Sequence, residues 1–532
     1  MKDLPKLNTK QNAILVASLT LVSSILGFGR ESIIAYLFGS TRLTDAYYVA
    51  FVVPDIVAGW IGYTITNALI PTLKQELNEP EKGNYKNLIN SVFFIVLIGS
   101  ILLSLLTYFF KGTIISVLAP QFDEYSSEIA VNLLAIMVIA IPLSALSGLL
   151  GGINNSMESF SYPALVGIFF NMFFLITLVI LANWLGLTAL AYGFLAGVFG
   201  RFFIQIVPLI RDKHLTLRNF RKHPALKVIF VAMIPIFFSQ AVSQVNQIVD
   251  RILASGLAEG HLSNLNYASK LGLLPIGIVG ASLATPLYTR FIKNSLDNDQ
   301  EEQFKLIIRA ISWILFIALI IGSGIYFFSD SLVSLFYYHG AFKLHDLHLT
   351  SNLLKIYGLF SFFYMCFPVV TTYFFSQKKG KIVLLSSLIS VTTNITLSII
   401  LIQHIGVFGL VVANGISQMV NVSFLFILII SGLKKKLIVT LFQILKIALP
   451  GGCLFLFLNW IIVYFWGSPS LDSKIHLLVR GVSALGLGGL SILILSFIVP
   501  NHDIHKVLNN LVKVVLKKIR VIKRKENINE SS

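Results

Sequence analysis

The sequence predicts an all-α polytopic membrane protein of about fourteen spans. Three observations carry that reading. Of 532 residues 56% are hydrophobic and 12% charged, with a mean hydropathy of +0.82, whereas a soluble domain carries about 25% charged residues. The apolar residues fall in runs of the roughly 20 residues that a bilayer-crossing helix needs. The basic residues behind a net charge of +17 gather in alternate connections: Lys2, Lys6 and Lys10; Lys74, Lys82 and Lys86; the stretches 211–227 and 290–309; Lys378, Lys379 and Lys381; Lys434 to Lys436; and the tail after Asn501. The intervening connections hold only Arg42, Lys111, Lys343 and Lys474. That alternation is the positive-inside bias, and it puts both termini in the cytoplasm. In a soluble chain such a charge would suggest nucleic acid. Its placement here argues against that partner and points to membrane lipid.

The first span, 15–38, follows Lys10 without a small-residue cleavage site, so it reads as a retained helix and not a signal peptide. Further spans run at 46–70, 88–110, 129–150, 162–184 and 187–210. After the basic connection a second six follow, at 228–253, 262–287, 306–328, 353–375, 382–402 and 407–430. Two more, at 441–465 and 477–499, complete an even count, in keeping with both ends inside. Beyond them Ile504, Val507, Leu508, Leu511, Val515 and Ile519 share one helical face with lysines mostly elsewhere, the pattern of an interfacial helix on anionic lipid. Cys366 and Cys453 both lie in apolar runs, which argues against a disulfide or a thiolate metal site.

A weak internal repeat organises the spans. The stretch 163–175, with Asn171, resembles 383–397, with Asn394, and each precedes a short turn ending in Gly186 or Gly406. Asn67–Pro71 and Ser282–Pro286 likewise close the second and eighth spans. The expected organisation is one six-helix lobe over 1–220, a second over 221–436 in the same orientation, two additional helices over 437–500, and a basic amphipathic cytoplasmic tail over 501–532.

Polar residues at membrane depth are the candidate functional groups. A charge at the bilayer centre costs about 2.5–3.5 kcal/mol or more, so one persists where a wet cavity, a partner charge or a polar cargo receives it. Arg30 and Glu31 sit side by side in the first span, after two glycines that invite a bend. Asp45 and Asp55 lie in the second, and Ser239, Ser243, Asn246, Asp250 and Arg251 in the seventh. Asn266, Tyr267 and Lys270 lie in the eighth, where Pro275 and Gly277 mark bend points. Arg30, Arg251 and Lys270 thus stand at the starts of both repeats, where they can line one central basic chamber suited to a phosphate-bearing substrate. Arg201 and Lys355 read as side chains that snorkel to an interface. No Walker, zinc-ligand, nucleophile-elbow or paired-carboxylate motif is present, so no cofactor, metal or catalytic residue is expected and the chain reads as a transporter, not an enzyme. His345 and His348 read as part of a solvated outer loop.

The run Leu26-Gly27-Phe28-Gly29-Arg30-Glu31, then Phe38-Gly39, the stretch 44–51 from Thr44-Asp45-Ala46, and Pro54 resembles the MurJ/MviN family of lipid II flippases. Gly152-Ile153-Asn154, Phe160 to Pro163, Leu274-Pro275 and Tyr338 to Phe342 extend the resemblance over the whole chain. The resemblance implies the multidrug/oligosaccharidyl-lipid/polysaccharide exporter fold, with two six-helix lobes forming a V and two extra helices bordering a groove for a lipid tail. It implies alternating access, carrying an undecaprenyl-diphosphate-linked peptidoglycan precursor between leaflets of the bacterial cytoplasmic membrane, in functional coupling with cell-wall synthases. Arg30, Glu31 and Asp45 match family positions, and Lys270 stands where the family has a cavity arginine. Ser24, Ala58-Gly59, Ser269 and Leu273 depart from charged family positions, and a carrier of another undecaprenyl-linked glycan would fit the same pattern. The expected cargo-binding set is Arg30, Glu31, Asp45, Asp55, Arg251 and Lys270, with Asp250 and Asn394 as candidates for ion coupling. A drug/cation antiporter would want an acidic cavity, and a membrane glycosyltransferase would want sizeable outer loops. Neither suits this sequence.

Overall fold

A computed structural model describes residues 9–78, 85–215, 223–297 and 299–432, and every regular element among them is helical. The first lobe comprises α1 (Thr9–Phe38), α2 (Arg42–Asn78), α3 (Tyr85–Phe109), α4 (Lys111–Leu118), α5 (Glu124–Met137), α6 (Ala140–Ser156), α7 (Ser161–Leu185) and α8 (Thr188–Arg211). The second comprises α9 (Ala225–Ala254), α10 (His261–Leu296), α11 (Gln300–Phe336), α12 (Leu344–Ser376), α13 (Gly380–Ile405) and α14 (Val407–Gly432). Among the described residues ten helices are long and apolar enough to cross a bilayer, and the bent pair α5–α6 makes an eleventh. In α9 a shorter apolar stretch, Ala225–Ile234, precedes the polar residues. The expected spans at 441–465 and 477–499 and the basic tail lie outside the described residues.

The two lobes repeat one packing scheme. α1 lies on α7 as α9 lies on α13, and α2 lies on α6 as α10 lies on α12. The hairpins α7–α8 and α13–α14 turn through Gly186 (φ 52°) and Gly406 (φ 57°), left-handed positions that favour glycine. Lipid offers no hydrophobic drive between helices, so close packing of small residues holds them together. Gly62 of α2 meets Gly148 of α6 backbone to backbone, and Thr66 Oγ1 donates to the Gly148 carbonyl at 2.7 Å. The outward face of α7 leaves Ile176, Val179 and Ile180 exposed, as a lipid-facing helix must.

Three local features differ from the sequence reading. The fourth span is two helices, α5 and α6, bent by 46°. Pro142 has no N–H to give the Val138 carbonyl one turn earlier, and Ser104 Oγ donates to that carbonyl at 2.8 Å instead. Its start is fixed by Asp123, which caps α5; donors on Ser126 hold that carboxyl below the usual carboxylate range. α1, by contrast, runs unbroken through Gly27 and Gly29. Gly27 serves packing, since a Cβ there would meet the Asn171 side chain at 3.4 Å. α10 likewise continues through Pro275 and Gly277. Finally, His345 and His348 belong to the first turns of α12 and not to a loop, with Asp346 accepting from the Lys343 N–H at 2.9 Å.

Between the lobes, α9 changes allegiance along its length. Its inner half joins the first lobe: Leu226 and Ile229 cluster with Leu69 and Leu73 of α2. Trp60 stacks on Phe237 at 4.5 Å and donates to its carbonyl at 2.8 Å. α9 also packs on α13 of its own lobe, and Asp250 near its end accepts from Asn414 of α14.

Candidate functional site

The lobes are tied by a dense polar seam at the end of the bundle where α1 turns into α2 and α9 into α10. Asp45, in the first turn of α2, accepts from the Gly260 N–H (2.8 Å), the Ser263 N–H (2.8 Å) and Ser263 Oγ (2.6 Å). α10 has no side-chain cap of its own, so a carboxylate from the other lobe caps it. Ser263 Oγ also donates to Thr44 Oγ1 at 2.9 Å, across 219 positions of sequence. At the same register Tyr48 meets Tyr267, ring centroids 6.0 Å apart. Equivalent residues of the two repeats therefore face each other across the seam. Ser40 and Thr350 both donate to Asn264 Oδ1, Tyr267 Oη donates to the Gly39 carbonyl at 3.0 Å, and the Ala341 N–H donates to the Tyr36 carbonyl at 2.9 Å. This end of the bundle is closed.

Beneath the seam lies a charge cluster shared by the lobes. Arg30 Nη2 bonds Glu31 at 2.7 Å, with side-chain exposures of 11% and 4%. Glu31 also accepts from Tyr48 Oη at 2.7 Å, and Lys270, exposed on α10, lies within its electrostatic range. The guanidinium of Arg30 sits 5.4 Å from the Phe170 ring centroid and 5.1 Å from that of Phe174. Breaking such a buried pair is costly, because the partner left behind is a buried charge without compensation.

The structure brings some expected residues together and separates others. Arg30 and Glu31 pair directly, and Lys270 of α10 lies within electrostatic range of Glu31. Asp45 stands apart in the seam, its carboxylate occupied by helix α10. Asp55 is exposed on α2, within electrostatic range of Arg201. Arg251 donates to Asn266 Oδ1 at 2.9 Å and lies within electrostatic range of Asp45 and Tyr48 of the first lobe. Asp250 and Asn394 belong to one chain of bonds: Asn394 Nδ2 donates to Asn414 Oδ1 (3.0 Å), and Asn414 Nδ2 donates to Asp250 Oδ2 (2.9 Å). Asp250 Oδ1, Asn394 Oδ1 and the nearby Asn246 Oδ1 are buried without a hydrogen-bond partner. Oxygen-only donors of this kind suit a hard cation or a proton. No cluster of three His, Cys, Asp or Glu side chains occurs among the described residues.

Sequence reasoning missed Ser263, Asn264, Tyr48 and Asn414. The first two were findable, because they stand at the repeat positions of Thr44 and Asp45. Asn414 was signalled only by its depth in an apolar span. Arg201 does not snorkel: it lies in the first-lobe interior, donating to Ser144 Oγ beside the Phe170 ring. Lys355 pairs with Asn352 at 3.0 Å and lies 3.7 Å from Asp330.

Two repeated helical lobes, sealed at one face over a buried ion cluster, define a polytopic membrane transporter. The chain belongs to the MurJ family: the family model described as lipid II flippase MurJ matches residues 34–472. A probable lipid II flippase MurJ of Buchnera aphidicola subsp. Acyrthosiphon pisum is 30% identical over 447 residues, covering 82% of this chain and 86% of that protein. The lipid II flippase MurJ of Burkholderia cenocepacia is 26% identical over 444 residues, covering 81% and 84%. A solved structure of lipid II flippase MurJ in an inward closed conformation matches with TM-score 0.76 and 26% identity, covering 90% of this chain and 98% of that one. An inward-facing MATE family transporter of the MOP superfamily shares the fold alone, with TM-score 0.64 and 16% identity over 79% and 95% of the two chains. The apolar helices and this membership make the chain a multi-pass protein of the inner membrane.

Proposed function

We propose that this protein is a flippase that carries undecaprenyl-diphosphate-linked peptidoglycan precursor, lipid II, from the inner to the outer leaflet of the bacterial cytoplasmic membrane, with both termini cytoplasmic. The observation that carries the reading is the buried Arg30–Glu31 pair of one lobe, with Lys270 of the other within electrostatic range of Glu31, in a chain of the MurJ family. Arg30 and Lys270 hold the diphosphate, assisted by Arg251, while Glu31 releases Arg30 as the anion arrives. The polyprenyl tail stays in lipid. Asp45 serves as the latch that closes the outer seam between cycles.

Each negative charge moved outward under a negative-inside potential gains about 2.3 kcal/mol per 100 mV, so the potential itself favours export. The Asp250–Asn414–Asn394 chain couples the cycle to a cation or proton, since its unpartnered oxygens favour a positive charge. The released cargo passes to cell-wall synthases on the outer face. The test is rescue of a strain depleted of its lipid II flippase. Growth should return with the wild-type chain and fail with Arg30→Ala present at normal membrane levels. Full rescue by that variant, or rescue only of a strain lacking surface-polysaccharide export, would overturn the proposal.

A further inference from the structure

Among the described residues of the first lobe, Arg201 is a buried guanidinium outside the proposed cargo-binding set. It projects from α8 between α6 and α7. Nη2 donates to Ser144 Oγ, while Nε is buried without a partner. Among the described residues no carboxylate lies within ion-pair distance of it; Asp55, exposed on α2, is the acid within electrostatic range. One hydroxyl and one ring are poor compensation for desolvating a group with five donors.

Its position relative to Arg30 is informative. The two guanidiniums flank the same ring, Arg30 at 5.4 Å and Arg201 at 5.6 Å from the Phe170 centroid. Arg30 has Glu31 as a counter-ion, and Arg201 has no equivalent. Two cations around one ring repel each other unless an anion comes between them. A diphosphate offers more acceptor oxygens, more charge and a longer span than a monophosphate, so it bonds two separated guanidiniums more completely.

We propose that Arg201 is a cargo-binding residue that reads the second phosphate of a lipid diphosphate and so sets the preference for diphosphate over monophosphate. This rests on the cargo reading above. The test is binding of undecaprenyl diphosphate and undecaprenyl monophosphate to the full-length protein in detergent, for the wild type, Arg30→Gln, Arg201→Gln and Arg201→Lys. The wild type should prefer the diphosphate, and Arg30→Gln should weaken both lipids. Arg201→Gln should weaken diphosphate binding about tenfold and change monophosphate binding less than about twofold, so that the preference collapses. Arg201→Lys keeps the charge without the planar fork and should lose about threefold of the preference, which covers the case in which the glutamine variant fails to fold. A merely structural arginine would weaken both lipids in parallel, and an unchanged ratio in the Arg201 variants would overturn the proposal. A wild type that binds neither lipid, or an Arg30→Gln variant that binds as tightly as wild type, would instead overturn the cargo reading on which it rests.

Discussion

Asp45→Asn should unlatch the outer seam. The carboxylate receives three hydrogen bonds from the other lobe, at 2.8, 2.8 and 2.6 Å, two of them from the free N–H groups at the start of α10. A hydrogen bond to a charged group contributes about 1.5–3 kcal/mol net. The asparagine keeps the shape and one acceptor oxygen but turns an NH2 toward backbone donors, so roughly 2–4 kcal/mol of closed-state stability is lost. That shifts the closed-to-open ratio by roughly 30- to 900-fold. The shift can be read as a labelling rate. Ser269→Cys, one residue before Lys270 beneath the seam, is placed in a chain whose Cys366 and Cys453 are replaced by alanine, and an impermeant maleimide is added outside intact cells. Because the reagent enters only the open form, the rate scales with the open population. Asp45→Asn should raise it at least about tenfold from a wild-type seam that is open about a few per cent of the time or less. Asp212→Asn, which alters a carboxylate paired with Arg211 at the C-terminal end of α8, should leave it near the wild-type value. Equal rates for wild type and Asp45→Asn would refute the latch.

Gly340→Ala tests the same seam through the backbone. Gly340 sits at φ 61°, and a Cβ there would collide with the Tyr36 backbone, so the labelling rate should rise less than for Asp45→Asn, by a penalty of about 1–2 kcal/mol. Glu31→Gln leaves Arg30 buried with its counter-charge removed, at a cost of about 3–5 kcal/mol. Its thermal unfolding in detergent should fall well below that of the charge-matched double variant Arg30→Gln with Glu31→Gln, and equal midpoints would contradict the pair's role. Asp250→Asn neutralises the only carboxylate of the second-lobe oxygen chain, and transport in vesicles should lose its dependence on the cation gradient while membrane levels stay unchanged. A retained dependence would remove that chain from coupling.

Where the fold was legible, it was legible for physical reasons that act locally. The runs ending at Gly186 and Gly406 gave hairpin turns to within a residue or two, because apolar length and a left-handed glycine fix such a turn without tertiary context. The break between α5 and α6 was also written locally, in Pro142, but a continuous apolar count over 129–150 hides it. Gly27 and Gly29 misled in the opposite sense: glycine at membrane depth marks close approach as readily as a bend, and only Asn171 on α7 decides which.

The site divides along the same line. A charge pair such as Arg30 and Glu31 announces itself in any apolar run, and so does Lys270. Their proximity comes from the pairing of α1, α2 and α10, which the repeat only suggests. Asp45 looks in sequence like another cavity carboxylate, yet its partners are helix N–H groups 215 and 218 positions away, a role no local pattern carries. Arg201 lies far enough from the inner end of α8 that its side chain turns inward, where Ser144 and Phe170 receive it. Single-helix reasoning about snorkelling cannot see that interior.

Transport by the purified chain tests the central claim most directly. Fluorescent lipid II is placed in one leaflet of vesicles holding the wild type or the double variant Arg30→Gln with Glu31→Gln, under an imposed potential, and its appearance in the other leaflet is timed. The wild type should move it faster than protein-free vesicles, and the double variant, folded to the same degree, should fall to the protein-free rate. A double variant that transports as fast as the wild type would show that the buried ion pair is scaffolding and that the cargo is held elsewhere.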